Sequence, residues 1–259
     1  MRDEKTVHNE QLEIEILRFS SQAEKTRFSF RIFSRLERIS LSFNIKLRDI
    51  ISTPNTFRDT ETYSESLQDC FALKVGRMAG LGTYIEIGSG DPLVGSNSYL
   101  LEKNQWRGFS IELDSNLADK FDSTRKNPVF CADGTNFEYF DKINELQFGD
   151  NIGYLQVDID PSVQSLLALL AVPFNSHKFA CITFEHDAYR SSTKIRNLQR
   201  DYLLGFGYVL IASNVKVNRL FVYEDWWVHP ELVNVNELDC FRSRRKHPTK
   251  MNWGSPLSH

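Results

Sequence analysis

Two periodicities divide the chain. Over residues 10–52, Phe28, Ile32, Leu36, Ile39, Phe43, Leu47 and Ile50 return every three or four positions, the spacing of one apolar helical face. Leu12, Ile16 and Phe19 predict a shorter helix before it. Arg27, Arg31, Arg35 and Arg38 follow the same rhythm on an adjacent face, which is either a solvated edge or a surface for an acidic partner or anionic lipid. Leu41–Leu47 also alternates as a strand would. The stretch 52–66, rich in Ser, Thr, Asp, Asn and Pro, reads as a connection.

Beyond it, short apolar runs alternate with helical patterns. The predicted strands are Tyr84–Ile87, Gly108–Ile111, Val129–Cys131, Tyr154–Val157, Phe179–Phe184, Tyr208–Ala212 and Leu220–Tyr223. Predicted helices include Asn97–Glu102, Asn116–Ser123 and Ser162–Leu170. Such alternation predicts an α/β fold with a mostly parallel seven-stranded sheet covered on both faces. The polar link Ser213–Arg219 is too short for a parallel crossover and predicts a C-terminal antiparallel hairpin. The expected organisation is an N-terminal helical extension over 1–60, a main domain over 61–239 and a polar tail over 240–259.

Composition narrows the class without changing the picture. With 41% apolar and 25% charged residues and a net charge of −3, the chain is neither a disordered segment nor a polyanion binder by charge alone, and no nucleic-acid partner is expected. No apolar run approaches the roughly 18–20 residues that span a membrane. Met1–Glu10 lacks the apolar stretch of a secretory signal. Cys70, Cys131, Cys181 and Cys240 form no CxxC pair, and Cys131 and Cys181 sit in strand-like runs as small hydrophobes. The cysteines fit a reducing cytoplasm, and no zinc-ligand spacing is present.

The sharpest local signal is Tyr84-Ile-Glu86-Ile-Gly88-Ser89-Gly90-Asp91, an apolar strand running into a Gly-x-Gly turn. In open α/β sheets the ligand crevice lies beyond the strands' carboxyl ends, and glycine lets backbone approach a ligand closely. Glu86 could receive a cofactor's ammonium or order the loop's amides. Glu112 ends the second strand a little over twenty residues on, where a carboxylate can accept both hydroxyls of a ribose. Asp133 ends the third strand, where it can accept an adenine amino group or cap a helix. The set suits an adenosyl ligand. A dinucleotide would want a third small residue where Leu93 follows Pro92, and no Gly-Lys-Ser/Thr of a P-loop follows.

From about Ser66 to Val228 the chain resembles the FkbM-type methyltransferase family. The resemblance rests on Gln68-Asp69 with Phe71, on 84–91, on Ser96-Asn97-Ser98-Tyr-Leu-Leu-Glu102, on Trp106-Arg-Gly108-Phe-Ser-Ile-Glu112, on Val157-Asp158-Ile-Asp160 and on Ile182-Thr-Phe-Glu185-His186-Asp187. It implies a Rossmann-like class I fold, S-adenosylmethionine as cofactor, and O-methylation of a sugar or other hydroxylated small molecule. Glu86, Gly88, Ser89 and Gly90 would then form the cofactor loop, with Glu112 on the ribose and Asp133 beside the adenine. Where the family usually has Asp-x-Asp/Glu-Gly-x-Glu, this chain reads Asp158-Ile-Asp160-Pro161-Ser162-Val163, with Pro161 expected at the first helical position.

For the chemistry, Asp158 and Asp160 end the fourth strand and Glu185, His186 and Asp187 the fifth. His186, Asp158 and Asp187 are the candidate catalytic residues, with His186 preferred as base because an imidazole titrates near neutrality. Alternatively Asp158, Asp160 and Asp187 would hold Mg or Ca and acidify an acceptor hydroxyl. Trp226 and Trp227 either pack or floor a sugar site. Arg190 and Arg196 would meet an anionic acceptor or be solvated. An active O-methyltransferase and a non-catalytic adenosyl-binding module both remain open, as does a homo-oligomer formed through the N-terminal helix.

Overall fold

The computed structural model describes residues 61–190, 193–217 and 221–238, together with Ile14 and Phe241. The predicted N-terminal helices, the arginine rhythm, Cys240 and the basic tail therefore lie outside the described residues.

The elements are α1 (Gln68–Ala79), β1 (Thr83–Ile87), α2 (Tyr99–Lys103), β2 (Arg107–Glu112), α3 (Ser115–Thr124), β3 (Val129–Cys131), α4 (Tyr139–Glu145), β4 (Asn151–Val157), α5 (Ser162–Ala171), β5 (Lys178–Glu185), α6 (Lys194–Gly205), β6 (Val209–Val217) and β7 (Phe221–Val228). The seven strands form one sheet in the order β3-β2-β1-β4-β5-β7-β6. The first five are parallel, and β7 runs antiparallel between β5 and β6. This is the Rossmann-like architecture that the alternation predicts.

The central strands are apolar on both faces because helices cover both, as parallel sheets require. On one face, Ile85, Ile87, Leu155, Val157, Ile182, Phe184 and Trp227 pack with residues of α4, α5 and α6. On the other, Tyr84, Tyr154, Cys181, Trp226 and Val228 meet Phe71, Ala72 and Val75 of α1. Adjacent strand residues point to opposite faces, so the two tryptophans serve the two cores separately. Trp226 stacks on Phe71 with ring centroids 4.8 Å apart. Both tryptophans are wholly buried, which supports the packing alternative for them.

The hairpin differs from its prediction in extent. The segment read as a polar link is mostly strand, with register irregularities between Leu210 and Lys216 and with Asn214 at φ 57°. A bulged strand tolerates Ser213 and Asn214 where regular alternation would not. β7 likewise continues five residues past the predicted Tyr223. Pro161 caps α5 rather than occupying its first helical position, one residue from expectation. Cys70 and Cys181 are buried free thiols, but Cys131 is exposed at the end of an edge strand, against the reading of it as a core hydrophobe. Among the described residues no helix is long and apolar enough to cross a membrane.

Candidate functional site

The strand order reverses between β1 and β4, and ligands of open α/β sheets bind at such a reversal. The Gly88–Gly90 turn leaves β1 there. Gly88 (φ 78°) and Gly90 (φ 59°) both hold left-handed backbone. Gly88 and Ser89 donate their amides to the Ile111 carbonyl at 2.9 and 3.2 Å, which ties the turn to β2. Glu112 completes the tie: one carboxylate oxygen accepts from Gly90 N at 2.8 Å, and the other from Asp114 N at 2.9 Å. Each of those oxygens keeps a second lone pair for a ligand.

Glu86 is buried beneath the turn. It accepts hydrogen bonds from Ser98 Oγ at 2.7 Å and Ser110 Oγ at 2.6 Å, so it organises the 96–98 segment. Burial raises its carboxyl above the usual range, opposed by the Arg125 guanidinium and the two hydroxyls. Arg125 was not singled out in the sequence. It donates to Pro92 O, Ser96 Oγ and Ser98 Oγ, and pairs with Glu102 at 3.1 Å. One buried cation thereby holds the loop after Gly90. Asp133 is exposed and caps the short turn Gly134–Asn136 through Thr135 N at 2.8 Å.

The cradle suits an adenosyl group. A Cβ built on Gly90 would meet nothing within 4 Å, so open space lies against the turn. Ser89 Oγ and Asn97 Oδ1 are buried without hydrogen-bond partners among the described residues. Buried polar atoms are ordinarily paired, and a bound ligand with hydroxyl and amino groups would satisfy both.

At the ends of β4 and β5, Asp158, Glu185 and Asp187 come together. The Asp158 and Glu185 carboxyls adjoin each other, and burial raises both far above the usual range. Asp187 is pushed up to about 6 by burial, against the nearby Arg190. It sits at φ 47°, held by its own amide to Tyr223 O at 3.0 Å and by Arg190 N to its carbonyl at 2.9 Å. Glu224 of β7, in register with Glu185, adds a fourth carboxyl, pushed up to about 7 by burial. Gln68 of α1 donates to Glu224 Oε2 and to Tyr223 Oη, both at 2.8 Å.

His186 is not part of this group. Next to Glu185 in sequence, it turns to the opposite face of the sheet, where it is wholly buried and its Nε2 stands 3.6 Å from Asp225 Oδ1. Asp225 is also bound by Gln199 and Arg200 of α6. Burial alone would raise Asp225, but Arg200 and His186 hold it down to about 2. Burial lowers the imidazole, with Asp225 opposing. That placement does not suit the base expected at His186.

The metal expectation also fails on geometry. Among the described residues no three His, Cys, Asp or Glu side chains are arranged to hold a metal ion. Asp160 is exposed, and the positive charge beside Asp160 and Asp187 comes from Arg190, at 3.5 and 3.3 Å. Arg196 instead donates to Asn214 Oδ1 at 2.9 Å, so of the two candidate arginines only Arg190 adjoins the carboxylates.

No protein-family model matches the chain, and no curated protein matches it. Solved structures similar to it include an O-methyltransferase from Bacillus cereus in complex with SAH, at 13% identity over 73% of this chain and 97% of that one, with a TM-score of 0.44. A S-adenosylmethionine-dependent methyltransferase from Clostridium acetobutylicum is 13% identical over 67% and 94% of the two chains, with a TM-score of 0.42. Magnesium protoporphyrin IX methyltransferase from Synechocystis PCC 6803 with bound SAM is 13% identical over 62% and 76%, also at 0.42. Similarity of this depth bears on neither activity nor substrate.

Proposed function

We propose that this protein is an S-adenosylmethionine-dependent methyltransferase acting on a hydroxyl of a small molecule. The observation that carries the reading is the Gly88–Gly90 turn at the β1/β4 reversal, tied to Glu112 and bordered by the Ser89 hydroxyl, which has no partner among the described residues. The cofactor, when bound, supplies a methyl group on a sulfonium.

The chain's own residues bind, orient and take a proton. Glu112 would accept the ribose hydroxyls with the lone pairs its backbone ties leave over, while Ser89 and Asn97 gain the partners they lack. The second oxygen of Asp133 makes no hydrogen bond among the described residues and would face the adenine side. Glu86 acts from below, holding the 96–98 segment in place. At the acceptor end Asp187 takes the role expected of His186. Its carboxyl, at about 6, is mostly ionised at neutral pH yet more basic than an ordinary aspartate, so it can receive the hydroxyl proton as the oxygen takes the methyl. The Asp158–Glu185 pair borders the same spot.

The alternative of a module that binds but does not turn over draws on Asp160-Pro161-Ser162-Val163, where the family pattern is lost. Calorimetric titration with S-adenosylhomocysteine, with NAD as control, tests the cofactor. Micromolar binding of the former alone supports the reading, and binding of neither sinks it. Methyl transfer to an acceptor then separates the enzyme from the binding module.

A further inference from the structure

The acceptor end has a chemical bias of its own. Asp158 on β4, Glu185 on β5 and Glu224 on β7 face the same side of the sheet, with Asp187 at the β5 exit. Arg190 meets this group at its outer edge through Asp187 and Asp160, and among the described residues no ion pair reaches Asp158, Glu185 or Glu224. Asp225 and Arg200 neutralise one another on the far face, beside the buried imidazole of His186.

A second observation comes from Gln156. It precedes Asp158 by two residues on the same face of β4, in register with Glu86 on β1 and Thr183 on β5. It is 2% exposed, and its Oε1 has no hydrogen-bond partner among the described residues. A buried amide oxygen without a partner costs free energy unless a donor arrives from elsewhere. The hydroxyl of Thr183, beside it, is engaged with Tyr154 Oη at 2.6 Å. Acidic wall and amide oxygen therefore call for the same thing, a ligand rich in donors and positively charged.

Resting on the methyl-transfer reading above, we infer that the acceptor carries an ammonium group beside its reactive hydroxyl, as an amino sugar or amino alcohol does, seated against Asp158, Glu185 and Gln156. An ammonium offers three donors to a wall made of acceptors, and charge-assisted bonds of that kind are about twice as strong as neutral ones. An ammonium would let carboxyls that burial otherwise keeps protonated ionise against it, which neither a neutral polyol nor an anion can do.

The test uses the full chain with S-adenosylhomocysteine present and three hexoses that differ at one position: glucosamine, N-acetylglucosamine and glucose. Binding is followed by saturation-transfer NMR and titration. Glucosamine is expected to bind about tenfold more tightly than either neutral sugar. The preference should shrink in Asp158→Asn and in Glu185→Gln. Equal binding of the three sugars, no binding of glucosamine, or a preference that survives both substitutions overturns the inference. Should either variant fail to fold, a salt series on the unaltered protein decides: raising NaCl from about 50 to about 500 mM must narrow the gap between glucosamine and glucose, and an unchanged gap overturns it. Titrating S-adenosylhomocysteine into the same samples keeps the two readings apart. A glucosamine preference without cofactor binding would sink methyl transfer and leave the ammonium site standing.

Discussion

A Cβ on Gly88 would stand 1.8 Å from the carbonyl oxygen of Asp158. The exit of β1 and the exit of β4 are thus in backbone contact, locked further by the Asp158 amide donating to Ile87 O at 2.9 Å. The proposed cofactor loop and acceptor wall are two sides of one junction, and a residue at the first sets the position of the second.

Gly88→Ala should therefore do more than Gly90→Ala, although both demand left-handed backbone. At Gly90 a methyl meets nothing within 4 Å, so the cost is conformational, about 1–2 kcal/mol. At Gly88 the same cost is joined by a collision with backbone that must move, and the expected total is about 3 kcal/mol or more. Urea unfolding of the two variants beside the unaltered protein checks the order. Equal losses would mean that the junction is looser than described.

Glu112→Ala removes the acceptor that holds Gly90 N and Asp114 N together. S-adenosylhomocysteine affinity should fall by roughly tenfold or more, the equivalent of one lost charge-assisted hydrogen bond. Glu112→Gln, which keeps one acceptor oxygen, should lose less. Calorimetry on both gives the comparison, and unchanged affinity in the alanine variant would remove Glu112 from the cofactor site.

His186 and Asp187 should separate cleanly. His186→Ala leaves a hole against Asp225 and frees the amide of Ala188, which donates to the imidazole Nδ1 at 3.2 Å. Loss of about 2 kcal/mol or more of stability is expected, with any effect on turnover following from it. Asp187→Asn should keep its stability at neutral pH and lose turnover. A stable, inactive His186→Ala would restore the imidazole as base.

Two carboxyls of β7 should drive stability in opposite directions with pH. Glu224 has its folded pKa raised from 4.5 to about 7, so the folded state binds the extra proton and stability falls as pH climbs from about 4.5 to about 7. Asp225 is lowered from 3.8 to about 2, so its contribution is present above about 4 and is lost as pH falls toward 2. Glu224→Gln should flatten the first slope and Asp225→Asn the second. Chemical denaturation from pH 2 to 8 reads both, and an unchanged neutral-range slope in Glu224→Gln would exclude Glu224 as its source.

The legible part of this protein was local. Alternation of apolar runs and helical stretches gives the α/β class, and every strand before the hairpin lies within a few residues of its predicted place, because strands buried on both faces are mostly apolar. The Gly-x-Gly turn and Glu112 were visible for a similar reason: a left-handed turn needs glycine, and a charged residue ending an apolar run needs a cause. Helices α1 and α4 were not marked, since short mixed stretches carry little period. Gln156 and Glu224 stand out in the sequence only as polar residues inside strands.

What the tertiary structure decided is which of those residues share a space. Glu185, His186 and Asp187 are consecutive, and nothing local says that the middle one serves the far core while its neighbours meet Asp158. That follows from the alternation of a strand only once β7 is seated between β5 and β6, bringing Asp225 to one face and Glu224 to the other. Arg125, more than twenty residues from every partner it holds in the cofactor loop, is found the same way. Sequence fixes what each residue can offer, through its own chemistry and its near neighbours. Packing at distance decides what it is offered to, because burial and partners, on which every shifted carboxyl here depends, exist only in the folded chain.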